Sequence, residues 1–198
     1  GSTRPAAPPR PRPGPATAAP GLGHPVGLAW RIQRGAVAGW AAGVVLGGVA
    51  MGSIASSADD FVGDNEGLED YFAQVAGADL TDLYLATIVS YMALLAGGFA
   101  VQAVLRLRTE ESAGRAEAVL ATATSRLRWA AGHLAVAIGG ATALLVVAGL
   151  GTGVAHALTN GDAGQVPRLV VAGLVPLPAV LVIVGVATLL WGAAPRTT

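Results

Sequence analysis

The sequence predicts an all-α, polytopic membrane protein with four transmembrane helices and a short helix on the cytoplasmic side. Two observations predict it. Four long apolar stretches, about Ala36–Ser57, Leu83–Leu105, Ala130–Leu158 and Leu169–Ala194, contain no Asp, Glu or Arg, and each is long enough to cross ~30 Å of hydrocarbon at ~1.5 Å per residue. The charges between them are sorted by sign. Asp59, Asp60, Asp64, Glu66, Glu69, Asp70, Asp79 and Asp82 separate the first two stretches without a single Arg. Arg106, Arg108, Arg115, Arg126 and Arg128 lie between the second and third, Arg31 and Arg34 precede the first, and Arg196 follows the last. Short cytoplasmic loops retain positive charge during insertion, so both termini and the 106–128 loop are expected inside and the acidic loop outside.

Composition excludes several classes of function. A water-soluble helical domain needs a polar face on each helix, and these stretches are apolar all round. The net charge of zero conceals the sorting, so the local sums carry the information. All 12 basic residues are arginines, and only Arg168 falls on the outer side. Without Lys the chain has no P-loop lysine and is no conventional ATPase by itself. Without Cys it has no disulfide framework, thiolate nucleophile or cysteine metal site. His24, His133 and His156 lack metal-ligand spacing, and the last two are expected at the interfacial ends of the third span. Trp30, Trp40, Trp129 and Trp191 fall near inner span ends, where an amphipathic ring suits the headgroup level. The spans carry none of the buried carboxylates that mark ion-driven carriers, so any driving energy should enter elsewhere.

Residues 1–25, with Pro5, Pro8, Pro9, Pro11, Pro13, Pro15, Pro20 and Pro25, read as an extended or disordered tether ahead of a transmembrane domain over 26–198. From Val26 to Arg34 apolar and basic residues alternate, which predicts a short interfacial helix. The first span carries Gly35, Gly39, Gly43 and Gly47 along one helix face, either a groove for close packing of another helix or a by-product of glycine's frequency in membranes. The acidic outer loop either attracts cations or is simply solvated, and Thr81 or a neighbouring Asp is placed to cap the second span. In the fourth span Pro176 and Pro178 interrupt the helix ladder and predict a kink, to be read as a hinge or as a static bend.

The inner loop is the most specific stretch. Arg106 with Glu110 and Glu111 with Arg115 are spaced i,i+4, which would support a helix by ~0.3 kcal/mol per pair. Ala113, Ala116 and Leu120 add a modest apolar stripe, so the helix needs lipid headgroups or a partner to rest on. Thr124 or Ser125 can cap the third span. No catalytic set stands out, because Ser90, Thr87, Gln102, Thr142 and Thr188 have no paired base.

Trp30-Arg-Ile-Gln-Arg-Gly35, Gly52-Ser-Ile-Ala55, Arg108-x-Glu-Glu-x-x-Gly-Arg-x-Glu117, Ser125-Arg-Leu-Arg-Trp129 and Gly161-Asp-Ala-Gly-Gln-Val166 together resemble the permease subunits of bacterial ABC-2-type exporters, in particular the polyketide-antibiotic (tetronasin-type) efflux group. The resemblance runs from about Pro25 to Pro195. It implies the transmembrane component of an ATP-driven exporter of hydrophobic or antibiotic-like compounds in the bacterial plasma membrane. On this reading Glu110, Glu111, Gly114, Arg115 and Glu117 couple the chain to a separate ABC ATP-binding subunit, which holds the ATP, while this chain needs no cofactor or metal. Permeases of this group have more spans, in two halves, and the chain resembles the opening of the second half, with the Pro-rich start as the linker. Further partners would be the remaining half or a second copy, and the lipid bilayer, but no nucleic acid. The other readings are a small four-helix membrane scaffold or assembly protein and an intramembrane enzyme.

Overall fold

The fold is that of a computed structural model, which describes residues 24–55, 57, 80–121 and 124–193. The Pro-rich segment up to residue 23, the acidic loop 58–79 and Arg196 lie outside the described residues. Among the described residues there are six helices and no strand. Four helical segments are long and apolar enough to span a membrane.

The first helix, α1, covers Pro25–Ser53. His24 caps it by accepting a hydrogen bond from the Val26 amide at 3.3 Å, and Pro25 sits where its missing N–H costs nothing. The interfacial helix expected over 26–34 is therefore not a separate element. Ala29 and Gln33 are buried, and no breaker precedes Gly35, so the helix runs straight on into the span. The second helix, α2, covers Leu80–Ser112 and its 33 residues are about 50 Å long. It outruns its apolar stretch by two turns, which carry Arg106, Arg108, Glu110 and Glu111. A six-residue helix, α3, covers Arg115–Leu120. The third span, α4, covers Arg126–Asn160. Ser125 caps α4 by accepting from the Arg128 amide at 3.3 Å, and Gly161 ends it at φ 76°. The fourth span is two helices, α5 over Gln165–Leu174 and α6 over Leu177–Ala193, with the break at Val175-Pro176.

Helix α4 is the axis of the bundle, packing chiefly against α1, α5 and α2. Val44, Phe99, Val104, Leu107, Leu144 and Leu145 are fully buried around it. Lipid is as apolar as leucine, so helices associate in it through close packing and polar contacts, and glycines set where backbones meet. A β-carbon on Gly149 would collide with the Leu169 carbonyl, and one on Gly173 would lie 2.7 Å from the Leu145 carbonyl oxygen, so α4 and α5 touch backbone to backbone. On α1 the close approach to α4 is made by Gly48 and Gly52, against Thr152.

The expected glycine face is placed differently. Gly35, Gly39 and Gly43 have nothing within 4 Å of an added β-carbon, and Gly47 meets only the Met92 side chain, at 3.4 Å. The row used within this chain is the neighbouring one, Val44, Gly48 and Gly52. Both rows have four-residue spacing, so spacing alone could not choose between them. Leu46, Leu94, Leu158, Leu189 and Val182 point outward and largely exposed, the surface a bilayer covers.

Candidate functional site

The expected coupling residues gather at the arginine-rich end of the bundle. Glu110 projects from the last turns of α2 and is buried. Arg115 donates to it twice, from Nε to Oε2 at 2.8 Å and from NH2 to Oε1 at 3.1 Å. Arg106, one turn earlier, adds the expected i,i+4 contact at 3.5 Å. The planar guanidinium fork matches a carboxylate in this two-point way. The bonded carboxylate in turn holds the Arg115 guanidinium above its ordinary pKa, first through the hydrogen bonds and then through its charge.

The second expected pair, Glu111 with Arg115, is not formed. Helix α2 stops at Ser112, and Gly114 turns the chain at φ 69°, in the left-handed region that glycine adopts without strain. Arg115 is thereby folded back onto Glu110, one position short of the residue that an uninterrupted helix would offer. Glu111 instead accepts from Arg126 NH2 at 2.5 Å and from Trp191 Nε1 at 3.1 Å. The Arg126 guanidinium carbon lies 5.5 Å from the centroid of the Trp191 ring, a cation–π contact. One carboxylate thus joins the end of α2, the start of α4 and the end of α6.

The same break decides what α3 rests on. Ala116 is buried in the core cluster with Val119 and Leu120 packed beside it, while Ala113 is exposed in the turn. The expected need for an outside surface is met by the bundle itself. Glu117 stands exposed in the first turn of α3. Pro176 and Pro178 flank the start of α6, whose other end is tied through Trp191.

Other polar contacts were not foreseen. Gln33 Nε2 and His133 Nδ1 lie 3.0 Å apart in the interior between α1 and α4. Trp129 meets the His133 ring edge-on at 5.1 Å. His133, His156 and Trp129 are all buried, so their side chains pack between helices near the span ends. Trp40 donates to Gln102 Oε1 at 2.7 Å, joining α1 to α2. At the opposite end Gln165 donates to Asp82 Oδ1 at 2.8 Å, joining α5 to α2. The available signal was the polar residues in or just beside the apolar windows, since each would be costly in lipid without a partner.

Among the described residues this end of the bundle sets no nucleophile beside a base. Its groups form a set of charge-assisted ties between helix ends. Residues 22–198 match the family described as the C-terminal domain of the multidrug efflux system permease Rv1217c. The chain is also 40% identical over 189 residues to the multidrug efflux system permease protein Rv1217c of Mycobacterium tuberculosis (strain ATCC 25618 / H37Rv), an alignment that covers 94% of this chain and 34% of that protein. The chain therefore spans about a third of the length of that relative.

Proposed function

The chain belongs to the family of the C-terminal domain of the multidrug efflux permease, and from that premise we propose that it forms the membrane-embedded part of an ATP-driven exporter, with its arginine-rich end in the cytoplasm. The export path carries hydrophobic or antibiotic-like compounds, as the ABC-2, tetronasin-type resemblance implies. A separate ATP-binding subunit docks on the 106–128 segment. The remaining permease half or a second copy completes the path across the bacterial plasma membrane. The sorting of arginines and acids supports this orientation.

The observation that carries the coupling reading is the Glu111 tie. Exposed Glu117 and the Gly114 elbow offer a contact surface to the ATPase, and the bidentate Glu110–Arg115 pair stiffens the elbow. A push on α3 is then passed through the neighbouring Glu111 to α4 and α6 at once. Helix α6 can answer by swinging at the Pro176–Pro178 break. Alternating access follows from partner closure, with no covalent chemistry in this chain.

The test is a charge swap in the assembled exporter. Glu111→Arg should lower drug resistance and transport-linked ATP hydrolysis at unchanged membrane levels, since it sets Arg126 against a like charge. Adding Arg126→Glu restores an opposite-charge pair and should recover part of both. Glu117→Arg should lower ATP hydrolysis with the bundle's stability unchanged. Full activity in the Glu111→Arg and Glu117→Arg variants would refute the coupling assignment.

A further inference from the structure

A groove opens along the outside of the bundle between α1 and α2. It has a volume of about 450 Å³ and is walled by Gly39, Gly43, Val44, Leu95, Trp40 and Gln102, within the ~300–1,000 Å³ typical of small-molecule sites. Gly39 and Gly43 form a floor whose missing side chains leave open space. Towards the arginine-rich end it continues into a smaller hollow of about 60 Å³ that shares Ala36 and Gln102 and is lined by Gln33 and Arg106. The upper part is mainly apolar and open to the outside of the bundle, and the lower part is smaller and sets Gln33, Gln102 and the cationic Arg106 among apolar neighbours such as Ile32 and Phe99.

The charge at the lower end is not cancelled. Glu110 faces both Arg106 and Arg115, but it gives its two oxygens to Arg115 at 2.8 and 3.1 Å and leaves Arg106 a single contact at 3.5 Å. Two guanidinium groups against one carboxylate leave one positive charge, and the Arg106 side chain is 48% exposed. Arg106 also marks the end of the apolar stretch of its span, which is headgroup depth. Basic pockets between spans at that depth suit lipid phosphates, and a guanidinium binds phosphate more readily than an ammonium binds it in a two-point geometry.

We propose that this groove is a binding site for one anionic phospholipid, with an acyl chain on the Gly39–Gly43 floor and the headgroup phosphate at Arg106, assisted by the amide nitrogen of Gln102. The Trp40–Gln102 hydrogen bond at 2.7 Å holds the two walls together and fixes the Gln102 side chain beside the phosphate position. The site does not depend on which leaflet the arginine-rich end faces.

The experiment uses the intact polypeptide that carries this chain, in nanodiscs of phosphatidylcholine and phosphatidylglycerol, with the lipids retained after extraction counted by native mass spectrometry. One phosphatidylglycerol should be retained in preference to phosphatidylcholine. Arg106→Gln should reduce that preference about fivefold, the share of one basic contact at the membrane surface, and should weaken retention of phosphatidylcholine less, because its choline already offsets the phosphate charge. Gly43→Leu fills the floor and should abolish retention of both, whereas Leu189→Ala, on the exposed face of α6, should change neither. An undiminished phosphatidylglycerol preference in Arg106→Gln, or undiminished retention in Gly43→Leu, would overturn the proposal. So would loss of permease assembly in Gly43→Leu with lipid preference intact, which would give the groove to another transmembrane span.

Discussion

Substitution of Gly114 isolates the energetic role of the elbow. Gly114 lies at φ 69°, where an L side chain costs about 1–2 kcal/mol, and an added β-carbon meets nothing within 4 Å. Contacts with neighbours therefore add nothing, and the backbone alone carries the cost. Replacing glycine also stiffens the opened segment, which offsets up to ~1 kcal/mol. The net penalty is thus about 1 kcal/mol for Gly114→Ala, more for Gly114→Val, whose branched side chain tolerates positive φ least, and a few tenths for Gly114→Asn. The penalty favours the local opening in which Arg115 leaves Glu110. Hydrogen–deuterium exchange of residues 113–121 in nanodiscs reads that opening, because ~1 kcal/mol raises the open population about fivefold. Exchange should quicken about fivefold in Gly114→Ala, further in Gly114→Val, and about twofold or less in Gly114→Asn. Gly161, at φ 76° and also with open space around it, is the control, since Gly161→Ala should act only at its own end. Exchange in the Ala and Val variants within twofold of the glycine protein would refute the elbow.

The interior glycines give a contrast with the open face. Gly149→Ala should lower stability in detergent by roughly 1–3 kcal/mol, an overpacking cost at the Leu169 carbonyl, while Gly43→Ala should leave it unchanged, and equal thermal stability of the two would contradict the packing described. Trp191→Phe removes the hydrogen bond to Glu111, worth about 1 kcal/mol, and exchange over 185–193 should rise several-fold if that bond holds the end of α6. A single-cysteine scan in this cysteine-free chain should label positions 59–79 from outside and positions 108–126 only after permeabilisation, and the reverse pattern would invert the orientation.

What was legible in the sequence follows from how lipid constrains a chain. A span must satisfy its backbone internally and bury no unpaired charge, so the four spans could be read from the windows free of Asp, Glu and Arg, although the helices themselves run on past those windows, as at Pro25 and Ser112. The break at Val175-Pro176 was legible for the same reason, since proline removes a specific hydrogen bond. The packing rows were not. Gly35, Gly39 and Gly43 and the row Val44, Gly48 and Gly52 present the same spacing, and only the position of α4 selects the second. That His133 and Trp129 turn inward was not legible, because nearness to a span end does not say which way a side chain points, and the partner of His133 Nδ1 is Gln33, a hundred residues away.

The segment around Gly114 shows the limit at its sharpest. An uninterrupted helix would pair Glu111 with Arg115 for a few tenths of a kcal/mol, and it would hold Gly114 in a helix interior at a cost of about 1 kcal/mol relative to alanine. The broken form frees Gly114 to turn and gives Arg115 a two-point contact with a buried carboxylate. It also leaves Glu111 open to Arg126 and Trp191. The local pattern favours the weaker pair, and the tertiary contacts of α4 and α6 decide against it. Because those contacts come from two different spans, the residues that set the elbow's geometry are also the ones that connect it to the bundle. On the proposed reading, a change of shape at the elbow would move the ends of α4 and α6 through Glu111, and replacing Glu111 is expected to disconnect them while leaving the Glu110–Arg115 pair in place.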